Sequence, residues 1–364
     1  MTDLRRTPVH DIHVALGARM VPFAGFSMPV QYDSIVEEHR AVRQTAGLFD
    51  VSHMGQIHLE GPAAVATAER LVTRPMASQK VGRVRYGLLC NEEGGVVDDV
   101  TVYRTGDDAL FLCVNAANIE KDYRWIVKHA PAEAGVRNRS DETGLLALQG
   151  PKSPTILARV AGPGVENVRR YAFAELDVAG TPARVSRTGY TGSDGFEIYL
   201  PAGATARVFE ALLEAGRPDG LVPVGLGARD TLRIEAAMPL YGHEIDDSIS
   251  PLEAGLGRFV KLDRGGFLGA EALAKRQAEG ATRTLVGFEL VGRGIPRAEY
   301  PVAVAGKEVG IVTSGAPSPT LDRAIGLAFV PPEHAEPGSR IDVVIRSRPI
   351  EARVVETPFV KASG

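Results

Sequence analysis

The sequence predicts an α+β protein of two or three domains, and three observations predict it. A strand–helix unit occurs twice, the texture changes near Thr284 to short Val/Ile-rich runs, and 364 residues exceed what one ordinary core holds. With 44% hydrophobic and 24% charged residues, the chain has a globular composition rather than a disordered or fibrous one. A net charge of -4 provides no basic footprint for DNA or RNA, so no nucleic-acid partner is expected.

The elements follow in order. Ser34 and Glu37 have capping-box spacing for a helix running through Glu38 and Arg43, and Gly47 suits a left-handed cap at its end. Strand-like Gln56 to Glu60 then meets Gly61-Pro62 and an Ala-rich helix. The pattern returns when Leu145 to Gln149 meets Gly150-Pro151 and a helix closing at Gly162. Between the copies lie a hairpin turn at Asn91 to Gly95, strands around Val96 to Tyr103 and Ala109 to Val114, and a helix from about Ala117 to Val127. After the second copy, two strands joined through Thr188 to Gly195 precede helices near Ala204 to Glu214 and Leu226 to Ala237, the latter ending before Pro239. Lys261 to Gly280 reads as a packed connection. The runs beyond Thr284 read as a small barrel or jelly-roll-like sheet.

Cys90 and Cys113 lie in apolar runs without CxxC spacing and read as core residues. No apolar stretch approaches a membrane span, and the first residues lack the apolar core of a secretory signal, so the cytoplasm is the expected compartment. The eight histidines take no metal-ligand spacing, and no metal is expected.

The chemistry centres on Asp98-Asp99. Neighbouring side chains on a strand leave on opposite faces, so one carboxylate faces inward, where it needs hydrogen bonds, a cation or a ligand. The alternative is a turn feature, with one Asp in water and the other bonded to backbone N–H groups of the Asn91 to Gly95 turn. Gly189 to Gly195 resembles a phosphate loop but leads into a strand and lacks the Lys-Ser/Thr ending, so it reads as a structural turn. Glu197, among Phe196, Ile198, Tyr199 and Leu200, is either a solvent-facing alternate position or a buried recognition carboxylate. Ser52-His53 is not read as a nucleophile and base, because adjacent side chains seldom face each other and no Gly-x-Ser-x-Gly elbow occurs. Arg229 and Arg233 share one helix face, either a salt-bridged surface or a cationic wall toward an anionic ligand.

Taken together, the runs at 23–32, 48–54, 91–99, 146–151, 187–192, 228–236 and 312–321 resemble, in order, those of the glycine cleavage T-protein family of aminomethyltransferases. Among them are Leu48-Phe49-Asp50-Val51-Ser52-His53-Met54 and Gly94-Gly95-Val96-Val97-Asp98-Asp99, and it is their number and order that carry the resemblance. The resemblance implies a three-lobed folate-binding fold. Its first domain is discontinuous (1–54 and 141–278), its insert (55–140) is a ferredoxin-like α+β domain, and a C-terminal β-barrel or jelly-roll-like domain covers 279–364.

It also implies transfer of a methylene group from an aminomethyl unit on the lipoyl arm of an H-protein to tetrahydrofolate as cosubstrate, releasing ammonia and the dihydrolipoyl carrier. Carried over by position, Asp99 is the catalytic carboxylate, suited to orient the folate amines and accept a proton. Glu197 is the pterin-binding carboxylate, able to accept paired N–H bonds. Arg229, Tyr190, Tyr86, Met54 and Asn115 are folate-contacting positions, with aromatic and thioether surface for the flat rings. The same fold serves folate-dependent demethylases and a non-catalytic iron–sulfur maintenance protein. The latter carries a Cys-containing motif where this chain has Lys261 to Gly269 without cysteine.

Overall fold

The computed structural model describes residues 4–361. One sheet is made by a single stretch of chain, in the order Val84–Cys90, Val96–Gly106, Ala109–Val114, Gly55–Glu60 and Val136–Asn138, all antiparallel. Helices Ala64–Leu71 and Ile119–His129 lay Ala64, Ala68, Leu71 and Ile126 against Ile57, Val102 and Leu112 of that sheet. This buries one sheet face, which three or more strands require for stability.

The second sheet runs Phe173–Asp177, Pro182–Ser186, Gly195–Pro201, Thr143–Gln149, Gly47–Asp50 and Val222–Pro223, and only its last pair is parallel. Numbered from the first strand of each copy, both sheets run second, third, fourth, first. The repeat seen in the sequence is therefore a repeat of topology. It extends to packing: a Cβ on Gly55 would stand 2.6 Å from Ile119, and one on Gly144 would stand 1.9 Å from Thr205. Ile119 and Thr205 each open the second helix of their copy, so the equivalent glycine admits that helix against the first strand. Where the first copy places Val136–Asn138, the second borrows Gly47–Asp50 from earlier in the chain.

Two expected helix ends differ. Ser34 makes no side-chain cap to helix Ile35–Gln44, and Glu37 pairs with Arg40 at the surface. Glu38 turns inward instead and accepts from the backbone N–H groups of Tyr32, Asp33 and Gly225 at 2.7, 3.2 and 2.8 Å. A long-range donor unavailable to local reasoning thus selected the next glutamate. Gly47 is not a left-handed cap: the helix ends at Thr45, and Gly47 is already strand because Val42 and Val224 would lie 2.5 Å from a Cβ there.

Strands Thr284–Leu290, Arg323–Val330, Lys307–Ser318, Pro301–Val304, Arg340–Ile345 and Arg348–Val355 close into a barrel around Phe288, Val302, Val343 and Val354. Closure removes the sheet edges, and of the two forms expected the barrel is the one found. Helix Leu226–Glu235 joins barrel and first lobes, packing on helix Ile35–Gln44, strand Phe26–Gln31 and barrel strand Lys307–Ser318. Arg233 binds Glu244 at 2.9 Å and the Ser314 hydroxyl at 2.7 Å, while Glu235 meets Arg43 at 2.8 Å and His39 at 3.2 Å. Burial alone would raise the Glu235 carboxyl, but bonds from His39, Ser318 and Arg43 outweigh it and hold it at about 2.

Candidate active site

A register shift opposite Leu89 and Cys90 leaves Val97 as an extra residue just before the aspartate doublet. Such a bulge twists a strand and re-aims its side chains. Asp98 is wholly buried, and Asp99 keeps some accessible surface. The inward carboxylate is not bonded to the Asn91 to Gly95 turn. Asp98 accepts from the Asn115 backbone N–H at 2.9 Å, the Asn115 side-chain amide at 2.8 Å and the Asn118 amide at 2.7 Å. The same Asn115 Nδ2 donates to Asp99 Oδ1 at 2.7 Å, so one amide ties both acids. Burial, then the Asp98 charge, push the Asp99 carboxyl up to about 7 against the lowering bond from Asn115.

Behind this pair sits Asp122, fully buried, with no N–H or hydroxyl donor on either carboxyl oxygen. Burial and the Asp98 charge push it up to about 11, so it is a neutral acid at ordinary pH. Sequence reasoning missed it. The available signal was its spacing of four from Asn118 on a helix whose apolar Ile119 and Ile126 mark the buried side.

Glu197, left open between water and burial, projects into the fold. Its Oε2 accepts from the hydroxyls of Thr188 and Tyr103, the latter at 3.4 Å. Burial raises its carboxyl, while Thr188 and the Arg229 charge oppose the rise. Arg229 and Arg233, expected to share one role, divide. Arg233 is consumed by Asp230 and Glu244, whereas Arg229 forms no ion pair among the described residues and lies 4.7 Å from the Tyr190 ring. A part-buried guanidinium without a carboxylate partner is suited to an anionic or electron-rich ligand.

The Tyr86 hydroxyl is buried and unbonded, and its acidity is suppressed by burial and by Asp99 facing it. Met54 lines a cavity of about 340 Å³ with Arg5, Phe26, His53 and Ile119. A second cavity, of about 500 Å³, reaches Tyr86. Asp99, Glu197, Arg229, Tyr190, Tyr86, Met54 and Asn115 are all part-buried, neither sealed in a core nor fully at the surface. Electrostatic neighbours chain five of them together, Tyr86 to Asp99 and Tyr190, Tyr190 to Arg229, and Arg229 to Glu197, and Asn115 joins through its bond to Asp99, while Met54 lies in the cavity with Arg5. His53 joins this group without having been assigned to it. Burial, then the Arg229 charge, lower its imidazole to about 4, so it is neutral, with Nδ1 unbonded.

Among the described residues no helix is long and apolar enough to cross a membrane, and no group of three or more His, Cys, Asp or Glu is placed to hold a metal ion. Residues 9–264 match the family described as the GCVT N-terminal domain, and residues 283–361 match the glycine cleavage T-protein C-terminal barrel domain. An aminomethyltransferase of Symbiobacterium thermophilum is 53% identical over 99% of this chain and 98% of its own length. Another, from Moorella thermoacetica, is 51% identical over 99% of each. The crystal structure of glycine cleavage system aminomethyltransferase T from Bartonella henselae is similar with a TM-score of 0.92 at 33% identity, over 99% of both chains.

Proposed function

Because the chain belongs to the glycine cleavage T-protein family and is an aminomethyltransferase, we propose that Asp99 is the carboxylate at which it transfers a methylene group to tetrahydrofolate. The donor is an aminomethyl group on the lipoyl arm of an H-protein. Two C–N bonds form to the folate amines as the C–S bond and the donor's C–N bond break. The two protons those amines lose leave with ammonia and the lipoyl thiol.

The observation that carries the assignment is the Asn115 amide shared by two carboxylates of unlike surroundings. It ties Asp99 to Asp98, and burial, then the Asp98 charge, raise the Asp99 carboxyl to about 7. A group half-protonated near neutrality can take a proton from an amine and return one to a leaving group. Glu197, with Oε2 fixed by Thr188 and Tyr103, is assigned to the pterin's N–H edge, and Arg229, Tyr190, Tyr86, Met54 and Asn115 to its surroundings. Segments 1–54 with 141–278, 55–140 and 279–364 are taken as its domains. The reading extends to a cytoplasmic enzyme partnered by lipoylated H-protein.

The test is direct: incubate the protein with tetrahydrofolate and aminomethyl-loaded H-protein, then measure methylenetetrahydrofolate and ammonia. Turnover of a small methyl donor without either product would overturn the proposal in favour of a demethylase.

A further inference from the structure

Asp122 is wholly buried on helix Ile119–His129, on the inward side that carries Ile119 and Ile126, and neither of its oxygens receives an N–H or hydroxyl bond. Ionised there, it would be a bare charge in a dry site. Lys121 does not relieve it, because that ammonium donates to the Val97 carbonyl at 2.6 Å and to the Tyr241 hydroxyl and stands 3.5 Å from Asp247. What stands against Asp122 is Asp98, close enough for one carboxyl to bond the other. Two buried carboxyls in contact do not both ionise, so one of them carries a proton.

The donors decide which. Asp98 accepts three N–H bonds: Oδ1 takes the side-chain amides of Asn115 and Asn118, and Oδ2 takes the Asn115 backbone N–H. Those bonds favour its ionised form, and Asp122 has none, so the proton belongs to Asp122. A carboxylate offers about four acceptor sites, which leaves Asp98 one for an O–H. The value of about 11 for Asp122 agrees. The other titratable groups around the cluster are Tyr86, Cys113 and Tyr241, from three further elements. Burial raises each above its ordinary value, so they stand neutral beside it.

Of the three acids only Asp99 keeps accessible surface, so only Asp99 is placed to exchange a proton with a substrate. It does so alone provided that Asp98 does not take the proton first, and a fourth donor on Asp98 prevents that. We propose that Asp122 is a positioning residue for methylene transfer: it keeps its proton throughout, gives that O–H to Asp98, and so leaves Asp99 as the one carboxyl that exchanges protons. The inference rests on the reading of Asp99 as the proton carrier, and the experiment separates the two.

Infrared difference spectra between the parent and Asp122→Asn, taken about five pH units above the ordinary aspartate value, should show the loss of one protonated-carboxyl C=O band. No such loss overturns the proposal, whatever Asp99 does. Asp122→Leu removes the O–H. Methylenetetrahydrofolate formation should then fall about tenfold or more in kcat, while tetrahydrofolate affinity by calorimetry stays within about twofold. The break in kcat at about pH 7 should move up, because a proton for which Asp98 and Asp99 compete is held to higher pH than one on Asp99 alone. Asp122→Asn keeps an N–H donor for Asp98 and should rescue kcat to within about threefold of the parent, with the break restored. An unmoved break in Asp122→Leu, or an Asn variant as slow as the Leu variant, overturns the proposal. So does an equal fall in melting temperature and folate affinity in both variants with no change in the profile, which marks packing alone. If Asp122→Leu fails to fold, the infrared band and the profile of Asp122→Asn decide. A break at about pH 7 that survives Asp99→Asn would refute the Asp99 reading itself.

Discussion

Replacing Asp99 with Asn removes a charge and a proton site while keeping shape. The Asn115 amide would still find an oxygen acceptor at position 99, and Asp98 would keep its own three N–H donors, so folding and folate affinity should change little. What is lost is the group poised at about 7. Positioned acid–base catalysis contributes about 10²–10⁴-fold, so kcat should fall by that factor, equivalent to about 3–5 kcal/mol of barrier. Asp98→Asn is the informative control. It leaves Asp99 and its burial in place but removes the neighbouring charge that adds to the rise, so the break in kcat near pH 7 should move to lower pH with a milder loss. It should also cost stability, about 1–3 kcal/mol, because an Asn cannot accept from all three donors. The assay is methylenetetrahydrofolate formation from aminomethyl-loaded H-protein, followed over about three pH units centred on the raised Asp99 value of about 7. Equal losses in kcat for the two variants, or a break near pH 7 that survives in Asp99→Asn, would refute the division of roles.

Other consequences are testable separately. Glu197→Gln should weaken tetrahydrofolate binding by about tenfold or more, as loss of a charge-assisted pair does; calorimetry showing unchanged affinity would remove Glu197 from the pterin site. Arg233→Met should destabilise the fold by about 3–5 kcal/mol by stranding Glu244, whereas Arg229→Gln should leave urea unfolding almost unaltered and weaken folate binding. A reversed ranking in urea would contradict their separate roles. Because the Glu235 carboxyl is depressed in the folded state, its contribution is fully present above its ordinary 4.5 and is lost as pH falls through about 2. That interval corresponds to about 3 kcal/mol, so Glu235→Gln should flatten the acid limb of the stability curve; a parallel limb would refute it.

Strand alternation separated Asp98 from Asp99 because it is a local rule, and the Gly61-Pro62 and Gly150-Pro151 units exposed the repeat because the same packing demands the same residues twice. Features with distant partners were not legible. Nothing near Glu38 announces Gly225, nothing near Asp98 announces Asn118, and Arg229 and Arg233 are equivalent on a helical wheel until Glu244 arrives to claim one of them. Arg74, Lys80, Arg83 and Arg85 lie within twelve residues of one another, yet only the fold shows that they line one cavity with no acid.

The borrowed strand has a consequence for the order in which the molecule can be built. Residues 55–138 form a sheet from their own strands, so that unit can close as soon as it leaves the ribosome. Gly47–Asp50 cannot: its neighbours are Thr143–Gln149 and Val222–Pro223, made later, so the amino-terminal segment must wait across an already folded lobe. Closing that long loop is an entropic step deferred until those later strands have been made. Chains released after Asn138 should therefore protect the insert from protease while exposing the segment before it, and the reverse pattern would contradict that order.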